Sequence, residues 1–458
     1  MRKTDTIAAV ATAMSSSGIG IVRISGDEAF DVILRIFRRK NGKAPAELKS
    51  HRVYYGYIYD GEERLDEVLV LVMKGPHSYT AEDTVEIDCH GGVLMMKRIL
   101  ETVLKYGARP AEPGEFTKRA FLNGRIDLSQ AEAVIDVINA KNQYALKSSV
   151  SQLSGAVSER IRDMRGKILY EIAFIESALD DPEHISLDGY GERLRETLKP
   201  LAEETARLIR SADDGRIMVE GIKTVILGKP NAGKSSLMNV LLGEERAIVT
   251  DIAGTTRDIL EEHIRMQGIS LNIVDTAGIR ETEDVVEKIG VDRAKQTAAE
   301  ADLIIYVVDG SCPLDEKDRR IMEMIHDRKC VVLLNKTDLE QVVTAEDLEQ
   351  LSGKRVVPVS AKEGTGIEEL EQEIKELFYH GELNFNDEVY ITNVRQKAAL
   401  EETLESLKMV QQSIDSGMPE DFYSIDLMNA YEQLGLIIGE AVEDDLVNEI
   451  FGKFCMGK

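Results

Sequence analysis

The residues of this chain best suited to chemistry fall in five short motifs between residues 228 and 362. They read Gly228-Lys-Pro-Asn-Ala-Gly-Lys-Ser235, Thr250-Asp-Ile-Ala-Gly-Thr-Thr256, Asp275-Thr-Ala-Gly278, Asn335-Lys-Thr-Asp338 and Ser360-Ala-Lys362. The first fits the pattern in which a glycine-rich turn aims backbone N–H groups at phosphates. Asn231, Ala232 and Gly233 would line that turn, Lys234 would reach the β- and γ-phosphates, and the Ser235 hydroxyl, followed by Ser236, would hold Mg²⁺. Asp275, followed by Thr276 and Ala277, stands where an acidic residue binds that metal through water. Gly278 offers a backbone N–H to a γ-phosphate. The Asp338 carboxylate matches the N1–H and exocyclic amine of guanine, a donor pair that adenine lacks, and an unpaired buried donor is strongly rejected. Lys336, after Asn335, would lie along the base, with the backbone of Ser360, Ala361 and Lys362 near the guanine oxygen. The expected ligand is GTP or GDP.

One absence bears on the reaction. Ras-like switches carry a glutamine after Asp-x-x-Gly to orient the attacking water, often assisted by an arginine finger. Ile279 occupies that position here and cannot hydrogen-bond water. Glu287 is a candidate to orient the water, whereas Glu281, Glu283 and Asp284 read as a solvated acidic face. A monovalent cation held by Asn231 and the segment Thr250, Asp251, Ile252, Ala253, Gly254, Thr255 and Thr256 is a candidate for the missing positive charge. An arginine finger contributes roughly 10³–10⁵ in rate, so its replacement must be comparably strong.

These motifs need strand ends and helix starts to hold them. Thr224–Leu227, Leu271–Asp275 and Cys330–Leu334 read as strands, and Ser236–Leu242 as a helix. A length of 458 residues suggests about three domains. Residues 1–120 read as an α/β unit, with strands at Gly18–Gly26, Val53–Tyr59, Val68–Met73 and Thr84–Cys89 and helices at Asp27–Phe37 and Gly92–Tyr106. From residue 121 the period becomes helical. Leu153, Val157, Ile161, Met164, Ile168, Ile172, Ile175 and Leu179 step by three or four, as do Leu427, Ala430, Tyr431, Leu434, Ile437, Ile438, Ala441 and Val442. Insertion of one domain into another is tolerated where termini lie close together. The expected organisation is therefore a helical domain over 121–213 and 384–458, with a Ras-like P-loop GTPase domain over 214–383 inserted into it. The alternative is two separate helical bundles.

No secretory signal and no apolar run long enough for a bilayer is evident, so a cytoplasmic, membrane-free protein is expected. Cys89, Cys312, Cys330 and Cys455 show no CxxC pairing, against a disulfide framework or zinc site. The net charge of −26 disfavours nonspecific nucleic-acid binding. The densest basic stretch holds Arg35, Arg38, Arg39, Lys40, Lys43, Lys49 and Arg52, and a solvated face is the common explanation of such a run. Cys455, in Phe454-Cys-Met-Gly-Lys458, is either a reactive thiol or an incidental surface cysteine. It is not a prenylation signal, because Gly457 is not aliphatic.

Taken together, Asp5-Thr-Ile7, Gly20-Ile-Val-Arg-Ile-Ser-Gly26, Pro113-Gly-Glu-Phe-Thr-Lys-Arg-Ala-Phe-Leu-Asn123, Asp127-Leu-Ser-Gln-Ala-Glu-Ala133, the five motifs and the terminal Cys-x-Gly-Lys resemble the MnmE (TrmE) family of tRNA modification GTPases. The resemblance spans essentially the whole chain. It implies a homodimer whose N-terminal domains associate and bind 5,10-methylene- or formyl-tetrahydrofolate through Arg23, Glu86, Arg125 and Lys458. Arg125 stands where lysine is common in the family, and Cys89 where glycine is common. The resemblance also implies a heterotetramer with an MnmG-type protein that carries FAD and uses NADH. The pair would place an aminomethyl or carboxymethylaminomethyl group on C5 of the wobble uridine of certain tRNAs. A K⁺ ion at Asn231, Thr250, Ile252 and Thr255, Mg²⁺ at Ser235 and Thr256, and Glu287 on the water would serve hydrolysis, completed when two GTPase domains dimerise. Cys455 would act in the modification chemistry or order the tail at the folate site. A ribosome-assembly or regulatory GTPase without covalent RNA chemistry is the alternative; a folate enzyme gated by GTP is a third reading.

Overall fold

The computed structural model describes residues 5–45, 47–140, 142–243, 262–266, 269–274, 300–379, 391–440, 447, 450–452, 454 and 457. At the N-terminus, period-two alternation builds a sheet. Its strands are β1 (Ile7–Val10), β2 (Ile19–Ser25), β3 (Phe37–Arg39), β4 (Arg52–Asp60), β5 (Glu63–Met73), β6 (Thr84–His90) and β7 (Arg109–Pro110). The spatial order is β3-β4-β5-β6-β2-β1-β7, antiparallel except for the β1–β7 pair. Helices α1 (Ala29–Ile36) and α2 (Val93–Lys105) cover one face, where Val22, Ile24, Val70, Val72, Val85, Ile87 and Cys89 pack on Ile33, Met96, Ile99 and Val103. The intervening residues point the other way. That face carries Arg23, Glu86 and Asp88 beside the exposed Val53, Tyr55 and Leu69. The strands expected from the sequence are present, while the short β1, β3 and β7 carry too few residues for a periodicity signal.

Helices follow: α3 (Glu115–Leu122), α4 (Leu128–Asn139), α5 (Gln143–Leu153), α6 (Ala156–Asp180) and α7 (Tyr190–Glu220). The expected stripe from Leu153 to Leu179 differs from the structure at both ends. Leu153 closes α5, and the chain turns at Gly155 before α6 begins. Leu179 is exposed and Ala178 is buried in its place. The last step shifts because steps of four, four, three, four, four, three and four average more than the 3.6 residues of a turn, so the pattern runs ahead of the buried face.

The chain next enters a mostly parallel sheet. In order come β8 (Ile222–Leu227), α8 (Lys234–Gly243), β9 (Glu262–Met266), β10 (Ile269–Ile273), β11 (Leu303–Asp309), α9 (Glu316–Ile325), β12 (Cys330–Asn335), α10 (Ala345–Ser352), β13 (Val356–Pro358) and α11 (Ile367–Tyr379). The strand order is β13-β12-β11-β8-β10-β9, with only β9 antiparallel. Both faces are buried, which is why β11 and β12 read as unbroken apolar runs. In such sheets ligands bind beyond the carboxyl ends of the strands.

The chain then returns through α12 (Val394–Asp415) and α13 (Asp421–Ile438). On α13, Leu427, Ala430, Leu434, Ile437 and Ile438 are buried, Tyr431 is half-buried, and Ala441 and Val442 lie outside the described residues. Arg165 of α6 lies 4.0 Å over the Tyr431 ring, donates to its carbonyl at 3.1 Å and pairs with Glu440. Two compact units result. One holds Met1–Ile138, Val150–Thr205 and Ala398–Lys458; the other holds Asn139–Ser149 and Ala206–Lys397. Among the described residues no helix is long and apolar enough to cross a membrane.

Candidate functional site

In the second unit, β8 runs straight into the loop 228–233, and α8 begins at Lys234. The loop needs left-handed backbone. Asn231 has φ 62° and Gly233 has φ 99°, and a Cβ on Gly233 would lie 2.0 Å from Asn335 Nδ2. The Lys234 ammonium donates to the carbonyls of Gly228 at 2.7 Å and Lys229 at 2.8 Å. Burial lowers its pKa, as expected for a cation withdrawn from water. Ser235 and Ser236 are exposed on the first turn of α8, where the helix dipole favours an anion.

Asn335, at the end of β12, joins three motifs. Its Nδ2 donates to the Ala232 carbonyl at 2.8 Å, and its Oδ1 accepts from the Ala361 N–H at 3.0 Å. The side chain is buried, so both bonds are made away from water. Asp338 follows, with Oδ1 accepting from Ser360 Oγ at 2.8 Å and the Lys362 ammonium 3.9 Å from Oδ2. Lys336 adopts φ 67° and sets its ammonium 2.6 Å from Asp309 Oδ2. Burial acts to raise the Asp309 pKa, but Lys336 and the Ser311 donors outweigh it and hold the carboxyl below its usual range. The phosphate loop, Asn335-Lys-Thr-Asp338 and Ser360-Ala-Lys362 thus meet at the carboxyl ends of β8, β11 and β12. Thr250, Asp251, Ile252, Ala253, Gly254, Thr255, Thr256, Asp275, Thr276, Ala277, Gly278 and Glu287 lie outside the described residues.

Two parts of this site escaped sequence reasoning. Asp309 pairs with Lys336 from a strand end that carries no nucleotide motif. Lys229, inside the loop, donates to Asp318 Oδ2 at 2.6 Å and Asp315 Oδ2 at 3.1 Å. Asp318 is 1% exposed and also accepts from the Tyr306 hydroxyl at 2.8 Å. Asp315 and Asp318 form the capping box of α9. An Asp-x-x-Asp ahead of a helical run is a readable cap, but its reach to the loop is tertiary.

A second cluster lies in the first unit. Cross-strand pairing sets Arg23 opposite Glu86, and the guanidinium donates to the carboxylate at 2.7 Å. Arg23 also donates to the Gly457 carbonyl at 3.2 Å. Gly457 has φ 90°, and a Cβ there would lie 2.3 Å from the Val10 carbonyl, so the tail fits against β1 only as glycine. Two cations lie over the Tyr79 ring, Arg23 at 5.1 Å and Arg125 at 4.7 Å from its centre. Its hydroxyl meets Thr117 Oγ1 at 2.9 Å, and Asn123 donates to the Thr80 carbonyl at 2.7 Å. The Pro113–Asn123 segment therefore positions Tyr79, anchored in turn by Arg119 against Glu82 and Glu115. Tyr79 was not anticipated; a tyrosine in a loop gives no sequence signal for what lies on either side. Burial and the Glu86 charge raise the pKa of Asp88. Cys89 takes ordinary strand geometry, with its thiol buried and donating to the Gly20 carbonyl at 3.2 Å. Arg23, Glu86 and Arg125 come together around Tyr79, while Lys458 and Cys455 lie outside the described residues.

Comparison with known proteins bears on both clusters. The family model described as GTP-binding protein TrmE N-terminus matches residues 6–125, and the one described as MnmE helical domain matches 128–455. The tRNA modification GTPase MnmE of Lachnoclostridium phytofermentans is 59% identical over 457 residues, covering 100% of both chains. Its namesake from Acetivibrio thermocellus is 50% identical over 461 residues, again covering 100% of both. That of Clostridioides difficile is 48% identical over 455 residues, covering 99% of each. With an N-terminal and a helical domain of this kind flanking a guanine-nucleotide site, and relatives matched from end to end, the chain belongs to the MnmE family of tRNA modification GTPases.

Proposed function

We propose that this chain is a K⁺-activated GTPase that serves the modification of tRNA at C5 of the wobble uridine. The observation that carries the GTPase reading is the Asn335 side chain, which ties the phosphate loop to both base motifs. The tRNA part rests on end-to-end similarity to proteins named tRNA modification GTPases. In this reading the loop N–H groups and Lys234 bind the phosphates, Lys234 swinging from the Gly228 and Lys229 carbonyls to phosphate oxygens. Asp338, already aligned by Ser360, accepts both guanine donors. The exposed hydroxyl of Ser235, on the turn where an anion is favoured, fits an oxygen-ligated Mg²⁺. Mg²⁺ and K⁺, when bound, offset charge that develops on the transferring phosphoryl group. Thr256 completes the Mg²⁺ set, and Asn231, Thr250, Ile252 and Thr255 the K⁺ set. Glu287 orients the water that Ile279 cannot. Thr276 and Ala277 serve nucleotide binding, and the Gly278 N–H meets the γ-phosphate.

We further propose three domains: residues 1–120, residues 121–213 with 384–458, and residues 214–383. The first binds a one-carbon tetrahydrofolate through Arg23, Glu86, Arg125 and Lys458. The clustering of three of these around Tyr79 supports that assignment, since a carboxylate suits pterin N–H donors and guanidiniums suit glutamate oxygens. The exposed part of the sheet with Val53, Tyr55 and Leu69 is where a second copy would pack as a homodimer. An MnmG-type flavoprotein supplies FAD and NADH chemistry in a heterotetramer, and Cys455 acts in the modification chemistry or orders the tail at the folate site. GTP hydrolysis is completed by dimerised GTPase domains in the cytoplasm.

Nucleoside mass spectrometry on tRNA from cells lacking and then regaining this chain tests the RNA half. Loss and recovery of C5-aminomethyl-type uridines is expected, and an unchanged profile overturns it. GTP turnover tests the other half: it should rise on exchanging Na⁺ for K⁺, and equal rates in both salts refute K⁺ activation.

A further inference from the structure

The chain carries a net charge of −26, so its average surface repels RNA. One segment is opposite in character. From Arg35 to Arg52 there are seven lysines and arginines and one carboxylate, Glu47. Five of them end, follow or flank one edge strand, whereas Arg35 donates to the Tyr106 carbonyl and Arg38 to those of Leu34 and Phe37. Among the described residues, β3 is the terminal strand at its edge of the N-terminal sheet and pairs with β4 alone. Beyond it the chain makes a tight turn, with Gly42 donating to the Arg39 carbonyl at 2.8 Å and Arg39 to that of Lys43 at 2.9 Å. Further on, the Lys49 N–H donates to the Tyr54 hydroxyl at 2.7 Å. The Arg39 guanidinium lies 5.3 Å from the centre of the same ring. One tyrosine thus holds both limbs of the strap together. Arg39, Lys40, Lys43, Lys49 and Arg52 are all exposed. The described ion pairs of this sheet and its helices use Arg23, Arg98, Lys105, Arg109 and Arg119, and none of the strap's five cations.

We infer that this strap is the docking surface for the phosphate backbone of the tRNA. The inference rests on the reading of tRNA as substrate. A cation without a carboxylate partner has no ion pair to break before it meets a phosphate. Phosphates on a nucleic acid recur along the strand, which suits cations spread over two limbs. On an acidic protein such a surface also orients the approach, because attraction at one edge is matched by repulsion elsewhere.

The test is tRNA binding by the full chain, read as anisotropy of a labelled unmodified transcript over a series of KCl concentrations. The strap variant is Lys40→Gln, Lys43→Gln and Lys49→Gln together. A control of equal charge change is Lys147→Gln, Lys167→Gln and Lys408→Gln. Each phosphate contact contributes roughly 0.7–0.9 to the slope of log affinity against log salt, so the strap variant should lose about 2–3 in slope and about 100-fold in affinity near 0.1 M. GTP turnover should match the parent, and the control should bind close to the parent. If the parent binds and the strap variant keeps its slope, the strap is not the docking surface, while the tRNA reading stands. If that variant instead loses capture of an acidic protein, the strap belongs to that partner and the inference is overturned. If the parent shows no salt-dependent binding and nucleosides are unchanged on deletion, the inference and the tRNA reading fail together.

Discussion

Replacing Asn335 by alanine is the sharpest test of how the nucleotide site is held. The side chain is 2% exposed and makes one bond to each of two motifs, to the Ala232 carbonyl and from the Ala361 N–H. Truncation leaves both backbone groups buried and unpaired. Each such group costs about 1–3 kcal/mol, so a loss of about 3 kcal/mol or more in the nucleotide unit is expected. With a urea slope of about 2 kcal/mol/M, the unfolding midpoint of that unit should fall by about 1.5 M. The chain has no tryptophan, so release of a fluorescent GDP analogue and far-UV circular dichroism are the suitable probes. GDP and GTP affinity should both fall at least tenfold, because the loop and the base motifs lose their common register. Asn335→Asp discriminates further. It keeps the acceptor for Ala361 but sets a carboxylate oxygen against the Ala232 carbonyl, so it should be no better than alanine despite its shape. A midpoint within 0.5 M of the parent for Asn335→Ala, or full recovery in Asn335→Asp, would refute the reasoning.

Other expectations follow from contacts already described. Lys229→Met leaves Asp318 without its cation but with the Tyr306 hydroxyl and the Asp315 N–H, so it should cost about 2 kcal/mol, less than the 3–5 of a fully orphaned buried charge. Lys229→Arg should recover most of the lost urea midpoint and GDP affinity. The Asp309–Lys336 pair depresses the folded-state pKa of Asp309 below 3.8. Its stabilisation is therefore complete above the unfolded value and is lost as pH falls through the lower folded one. Lys336→Ala should flatten that acid limb in unfolding measurements below about pH 4, and an unchanged limb would discount the pair. Burial pushes the thiol of Cys89 up to about 11 and that of Cys330 to about 12, whereas Cys312 is exposed. Peptide-resolved alkylation near neutral pH should label Cys312 quickly and the two buried thiols only after unfolding.

What the sequence determined by itself is local. The phosphate loop is legible because a strand, a glycine turn and a helix are contiguous, and each declares itself within a few residues. Asp338 is legible because guanine selection needs a carboxylate after Asn-Lys-x. The two faces of β5 and β6 are legible because alternation is a period of two. Tertiary structure decided which groups face one another. Asn335 reaches back 103 residues to Ala232, Lys229 forward 89 to Asp318, and Arg23 forward 434 to the Gly457 carbonyl. Tyr79 gained its place beside Arg23 and Arg125 from the packing of the 113–123 segment, which no spacing encodes. Even the long stripe of α6 ended one residue early, since helical drift and the neighbouring helix select the buried position. Chain-local geometry is written in residue order, whereas contacts between distant segments depend on how sheets and helices close on one another.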